Sequence, residues 1–174
     1  WIFCLFISLV SINPVKAQFS VNATGFVNAS PEDVWPVVRE LEMWSDWQDT
    51  FDIELIDGGV VDVGKDILIT SQFPTTTQQT LETINKIEPE SPRRKICWIL
   101  KSFVIGSLKI PIPDFLLKTD RCIEIIDSDN GDTSIVLNWI VYTGFLAPIV
   151  IFTTGSDTLE LFDNFNDALY ILFA

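Results

Sequence analysis

Between Phe51 and Thr143 the chain passes from one period-2 segment to the next, mostly with nothing but turn residues between them. Phe51–Ile56 stops at Gly58-Gly59, Asp66–Phe73 at Pro74, and Gln78–Glu88 at Pro89-Glu90-Ser91-Pro92, after which Arg94–Phe103 follows. Beyond an apolar stretch, Thr119–Asp127 leads through Ser128-Asp129-Asn130-Gly131-Asp132 into Thr133–Thr143, the clearest hairpin signal in the chain. Connections this short leave no room for crossover helices, so the strands must pair antiparallel. Ahead of them, Phe19–Asn28 alternates as a strand with Gly25 as a candidate bulge. Ser30-Pro31-Glu32-Asp33 then starts a helix, with Ser at the cap and Pro at the first helical position, and Val34, Trp35, Val38 and Leu41 follow at helical spacing. A second short helix carries Trp44 and Trp47. At the other end Gly155-Ser156-Asp157 opens a final helix in which Phe162, Phe165, Leu169 and Leu172 share a face. The order predicts an α+β domain: a curved antiparallel sheet of about seven strands wrapped on a long C-terminal helix, with two short helices after the first strand.

At 174 residues there is material for one domain. A formal charge of −13 repels phosphate backbones and anionic lipid, which excludes nucleic acid as a partner. The absence of histidine removes the commonest general base and the commonest metal ligand, and with them His-dependent hydrolases and His-ligated zinc sites. No cofactor or metal is expected.

Trp1–Ile12 is apolar but well short of the ~20 residues that a spanning helix needs. Pro14 and Val15-Lys16-Ala17 follow, small residues flanking a cleavage point ahead of Gln18, so residues 1–17 read as a secretory signal peptide and 18–174 as the mature domain. The expected location is extracellular or an endomembrane lumen. Cys97 and Cys122 then meet an oxidising compartment. They belong to consecutive antiparallel strands, and a register that opposes them also opposes Lys95 and Glu124, so a Cys97–Cys122 disulfide is expected. Asn22-Ala-Thr and Asn28-Ala-Ser are glycosylation sequons, and Pro31 directly after the second makes Asn22 the better candidate.

Ala29-Ser30-Pro31-Glu32-Asp33-Val34-Trp35-Pro36, followed by Trp44-Ser45-Asp46-Trp47, resembles the opening of the START-like (SRPBCC) superfamily, which includes polyketide cyclase/dehydrase-like and lipid-transfer proteins. Gly64, Pro92-Arg93-Arg94 before Ile96-Cys97-Trp98, Gly131-Asp132-Thr133, Gly144-Phe145-Leu146-Ala147-Pro148 and Asn166-Asp167-Ala168-Leu169 extend the match in order, from Phe19 to Ala174. The resemblance implies the helix-grip fold, with a hydrophobic cavity between sheet and long helix. It implies binding or transport of a hydrophobic small molecule such as a lipid, sterol or polyketide-like compound. A polyketide cyclase or dehydratase-like enzyme working in the same cavity is the alternative. Members are typically cytosolic, so a secretory signal is a departure, as is the long apolar connection Phe103–Leu117.

Asn138 and Tyr142 fall on one face of the last strand, which by resemblance looks into the cavity, where an amide and a phenol would orient a ligand's polar end. Trp98, Phe162 and Phe165 are candidate cavity walls. Glu160, Asp163 and Asp167 read as the solvated side of the last helix. Asp127, Asp129, Asn130 and Asp132 look like a calcium loop but lack the acidic twelfth ligand, since Asn138 stands there. Glu32, Arg39 and Glu40 read as surface charges, and Arg121 as a side chain snorkelling on the outer sheet face. Tyr142 is the one plausible catalytic acid, so the reading leans away from an enzyme. In an antiparallel meander Phe103–Leu117 and Phe145–Phe152 fall at one end of the sheet, where they either plug the cavity or form a rim for transient membrane contact.

Overall fold

Ser30 shows local chemistry setting an element boundary. Its Oγ accepts from the Asp33 amide at 3.3 Å and donates to Asp33 Oδ2 at 2.8 Å, with Pro31 in the first turn, and α1 runs Pro31–Arg39. A 3-10 turn, Leu41–Asp46, follows and buries Trp44, whose Nε1 donates to the Val38 carbonyl at 3.1 Å. The computed structural model describes residues 18–90, 92–128 and 131–174. Residues 1–17, where a signal peptide is expected and which include Cys4, lie outside the described residues, as do Ser91 of the Pro89–Pro92 turn and Asp129 and Asn130 of the last hairpin and acidic run.

Around these helices the strands β1 (Phe19–Val27), β2 (Phe51–Leu55), β3 (Asp66–Phe73), β4 (Thr76–Glu88), β5 (Arg93–Ile105), β6 (Leu108–Pro111), β7 (Lys118–Asp127) and β8 (Ser134–Thr143) form one antiparallel sheet. Its order is β1-β8-β7-β5-β4-β3-β2, with β6 paired to β5. The helix α2 (Ala147–Leu172) lies across the concave face. Gln48 sets the start of β2: its buried Oε1 accepts from the Thr50 and Phe51 amides at 2.7 and 2.8 Å, fixing the turn out of the 3-10 segment. The fold is the expected helix grip.

Two bulges curve the sheet where β4 meets β5. Lys101 is an extra residue between the Leu81–Ser102 and Glu82–Leu100 pairs, and Asn85 is one between Ile84–Trp98 and Lys86–Cys97. Gly25 is not a bulge. The β1–β8 register is unbroken from Phe19–Tyr142 to Val27–Ser134, and Gly25 instead lets α2 approach, since a Cβ there would lie 2.7 Å from Asn166 Cβ. The apolar stretch after Phe103 is in part a hairpin, with β5 continuing to Ile105, turning at Gly106 (φ +60°) and returning as β6.

The last helix also begins earlier than Gly155, at Ala147, and absorbs most of Phe145–Phe152. Pro148 in its first turn has a backbone angle already suited to a helix, and Gly155 sits mid-helix where α2 passes Val21. Beneath α2 the sheet contributes Ile69, Ile84, Ile96, Ile123 and Val136 to a core that Phe162, Phe165 and Leu169 close from above. Glu160, Asp163 and Asp167 are exposed on the other side of the helix.

Candidate functional site

The sheet curves away from the first half of α2 and leaves a half-enclosed cavity of about 160 Å³. Phe73, Leu100, Phe103, Leu117, Ile140 and Val150 give it an apolar wall. The polar groups reaching it come from facing elements: Ser71 on β3, Gln78, Thr80 and Glu82 on β4, Thr119 and Arg121 on β7, Tyr142 on β8, and Thr154 and Thr158 on α2.

Arg121 overturns the expectation of an outward, snorkelling side chain. It shares strand parity with Ile123 and Ile125, so it points inward and is only 6 % exposed. Its guanidinium carbon lies 4.2 Å from the Phe51 ring centroid, 5.2 Å from Phe162 and 5.5 Å from Trp98. These ring faces hold the cation where no water shell can. Nε and Nη2 have no hydrogen-bond partner.

Glu82, which sequence reasoning did not single out, is buried to the same degree in the same cavity. Thr80 Oγ1 donates to its Oε1 at 2.8 Å, while Oε2 has no partner. Burial pushes its carboxyl pKa up, against the pull of the Arg121 charge and of the Thr80 hydroxyl. Burial likewise pushes the Tyr142 phenol up, opposed by the Thr158 hydroxyl and the Arg121 charge and assisted by Glu82. For Arg121 burial is the leading influence and lowers the pKa, with Glu82 and Tyr142 acting the other way. A guanidinium, a carboxyl and a phenol thus share one largely apolar space.

Of the residues expected at the site, Tyr142 and Phe162 line the cavity. Trp98 stands one layer behind, against Arg121 and with its ring 6.2 Å from that of Trp44. Phe165 belongs to the aromatic cluster of the core, 4.8 Å from Trp44 and 5.2 Å from Trp47. Asn138 shares Tyr142's face but faces α2 beyond the cavity, where its Nδ2 donates to Asn166 Oδ1 at 2.7 Å. Asn138 and Tyr142 therefore do not converge on one ligand group. A parity reading from Ile123 and Ile125, with Lys118, Asp120 and Glu124 marking the other face of β7, would have found Arg121. Nothing apolar on β4 near Glu82 beyond Ile84 marks an inner face.

Cys97 and Cys122 are directly opposed and disulfide-bonded with Cα atoms 4.1 Å apart. Lys95 opposes Glu124, as that register requires, at 3.7 Å. Both bonds lie on the outer face of the sheet, next to the inward Trp98–Arg121 pair. Glu32, exposed as expected, pairs with the buried Arg94 of β5. Asn22 is exposed on β1.

At the end where β3 turns into β4, two segments are stitched together: the Phe145 and Leu146 amides donate to the Phe115 and Leu116 carbonyls at 3.0 and 2.8 Å. Gly144 (φ +104°) makes this approach possible, since a Cβ would sit 2.7 Å from Leu116 O. Leu117 and Val150 turn into the cavity, whereas Phe115, Phe145, Ile149 and Phe152 face out, Phe152 at 90 % exposure. Among the described residues, no helix is long and apolar enough to cross a membrane.

Similarity to known proteins lies in the fold. Ginseng major latex-like protein 151 from Panax ginseng superposes with a TM-score of 0.67 at 9 % identity, covering 90 % of this chain and 98 % of that one. A START superfamily protein from Mycobacterium smegmatis gives 0.60 at 16 %, covering 88 % and 96 %. Norcoclaurine synthase from Thalictrum flavum, in complex with dopamine and hydroxybenzaldehyde, gives 0.58 at 17 %, covering 90 % and 87 %. No protein-family model matches the sequence, and no curated protein sequence matches it. The chain has the helix-grip fold of the START-like superfamily.

Proposed function

We propose that the chain binds a small hydrophobic molecule in the cavity beneath α2 and carries it without transforming it. The observation that carries this reading is the cavity itself: an apolar pocket with a few inward polar groups is the usual form of a small-molecule site. At about 160 Å³ it is close to the size of an apolar cavity that takes benzene, and below the roughly 300–1,000 Å³ of pockets for larger ligands. The ligand is accordingly of single-ring size. A sterol or a lipid chain requires the walls formed by Phe103, Leu117 and Val150 to part.

The secretory reading of residues 1–17 belongs to the same proposal, with the Cys97–Cys122 bond and the accessible Asn22 sequon as its support. The test is native mass spectrometry of protein purified from its own secretory pathway, followed by organic extraction. One co-purifying small apolar molecule is expected, and a ligand-free mass from several preparations overturns the reading.

One observation favours a second reading, catalysis: Glu82, Arg121 and Tyr142 all have displaced pKa values within one cavity. It predicts turnover of a bound aromatic carbonyl compound that Tyr142→Phe abolishes. Binding without turnover in the parent excludes it.

A further inference from the structure

We infer that the cavity's ligand is a small apolar carboxylic acid, bound as its carboxylate on the Nε–Nη2 edge of Arg121. This inference rests on the binding function proposed above and gives that ligand its chemical class.

A guanidinium presents two faces and a set of in-plane N–H donors, and here they are used differently. Aromatic rings hold the group, Phe51 most closely at 4.2 Å. Stacking of that kind leaves the in-plane donors free. The two donors without partners, Nε and Nη2, lie on the same edge of the guanidinium, and that edge matches the two oxygens of a carboxylate side-on. Arg121 is 6 % exposed and lines the cavity, and Nε and Nη2 are themselves buried, so this unpartnered edge belongs to the interior and not to solvent.

Charge points the same way. Arginine stays protonated in proteins, and a buried cation without hydrogen bonds is costly until an anion reaches it. Glu82 lines the same cavity and its charge acts on Arg121, yet Thr80 engages its Oε1, its Oε2 has no partner, and no hydrogen bond joins it to the Nε–Nη2 edge. The apolar wall of Leu100, Phe103, Ile140 and Phe162 requires the rest of the ligand to be hydrocarbon. The volume of about 160 Å³ limits that part to about one ring. Inorganic anions do not use the apolar wall, and neutral rings do not use the guanidinium. An aromatic or short branched monocarboxylate uses both.

Benzoate, benzamide and toluene separate these requirements, because they share a ring and differ in charge and polarity. Calorimetric titration of the intact protein at neutral pH is expected to rank benzoate at least about tenfold tighter than benzamide, the margin of a charge-assisted bidentate contact. Arg121→Gln is expected to erase that margin while leaving toluene binding in place. The parent alone gives a second readout that does not depend on the variant's folding: with arginine labelled with nitrogen-15, benzoate should move one Nε–H resonance, that of Arg121, and leave those of Arg39, Arg93 and Arg94 unmoved. Equal affinity for benzoate and benzamide, or an unmoved Arg121 resonance at saturation, overturns the carboxylate assignment while toluene binding still supports the cavity as an apolar site. Failure of all three compounds to bind overturns the single-ring cavity reading as well.

Discussion

Glu82 is a carboxyl that folding takes out of water, and the consequence is a pH dependence of definite sign. Burial raises its pKa from the ordinary 4.5, so the folded chain holds the proton more tightly than the unfolded one. The stabilisation is complete below the unfolded value and is lost as pH rises through the folded value. Glu82→Gln removes this dependence. The stability of the variant relative to the parent should therefore climb as pH rises from about 4.5, measured by urea melts between pH 4 and 8. Asp66 and Glu88, whose pKa values move down, affect both proteins alike and cancel. A difference that stays flat with pH contradicts a raised Glu82 carboxyl. Gly25 offers a steric test at the same scale. The Cβ of Gly25→Ala would lie 2.7 Å from Asn166 Cβ and 2.9 Å from its Cγ, and Asn166 is fixed by its bond to Asn138. A loss on the order of 1–3 kcal/mol is expected from such overpacking, and an unchanged denaturation midpoint would show that β1 and α2 are not packed this closely. Neither residue announced its role in the sequence. Gly25 carried a real signal of close backbone approach, but a bulge satisfies the same signal. Glu82 sits among Thr80, Thr83 and Gln78, where alternation has no apolar face to reveal direction.

The elements that were legible are those bounded by chemistry that acts locally. Ser30-Pro31 starts α1 wherever the chain lies, and Pro89–Pro92 separates two strands without help from the rest of the fold. The elements that were missed are mostly apolar and take their form from what they touch. Leu108–Pro111 becomes a strand because the end of β5 is there to pair with, and Ala147–Phe152 becomes helix despite Ile149, Val150 and Ile151, residues that would suit a strand equally. The disulfide lies between these cases. Its register followed from opposing Lys95 with Glu124, and the bond ties β5 to β7 across 25 residues of sequence. Closing a loop of that length stabilises by roughly 3 kcal/mol in the chain-entropy account. The Cys97→Ser, Cys122→Ser double variant should lose about that much in urea melts. Because both sulfurs are on the outer face, it should bind toluene like the parent. A tenfold or greater loss of toluene affinity at full folding would show that the bond also shapes the cavity.

For the whole molecule, the question is how a ligand reaches a cavity closed by the sheet on one side and α2 on the other. The turns at Gly58, Pro89 and Gly131 gather at one end of the sheet; at the other, the β5–β6 hairpin, residues 112–117 and the start of α2 gather where Phe103, Leu117 and Val150 line the cavity. That end combines two arrangements of apolar side chains. Phe103, Leu117 and Val150 turn inward as wall, while Phe115, Phe145, Ile149 and Phe152 are between 57 and 90 % exposed on segments joined by backbone hydrogen bonds. We propose that this apolar rim, built on a fixed backbone, is where a ligand would enter from an apolar phase, with the inward residues lying between that phase and Arg121. The formal charge of −13 opposes approach to anionic lipid, so association has to come from the side chains themselves, and neutral vesicles are the informative surface. Exposed aromatics on a rim contribute little to folding, which makes Phe115→Asp and Phe145→Asp clean changes. Both variants should keep the parent's circular dichroism and denaturation midpoint. In transfer of a fluorescent single-ring acid from neutral phosphatidylcholine vesicles, each should load several-fold more slowly, while affinity for the same compound free in solution stays at the parent value. Loading at the parent rate by both variants would place the ligand's route elsewhere, and a fall in solution affinity would mean that the rim closes the cavity instead of opening it to a membrane.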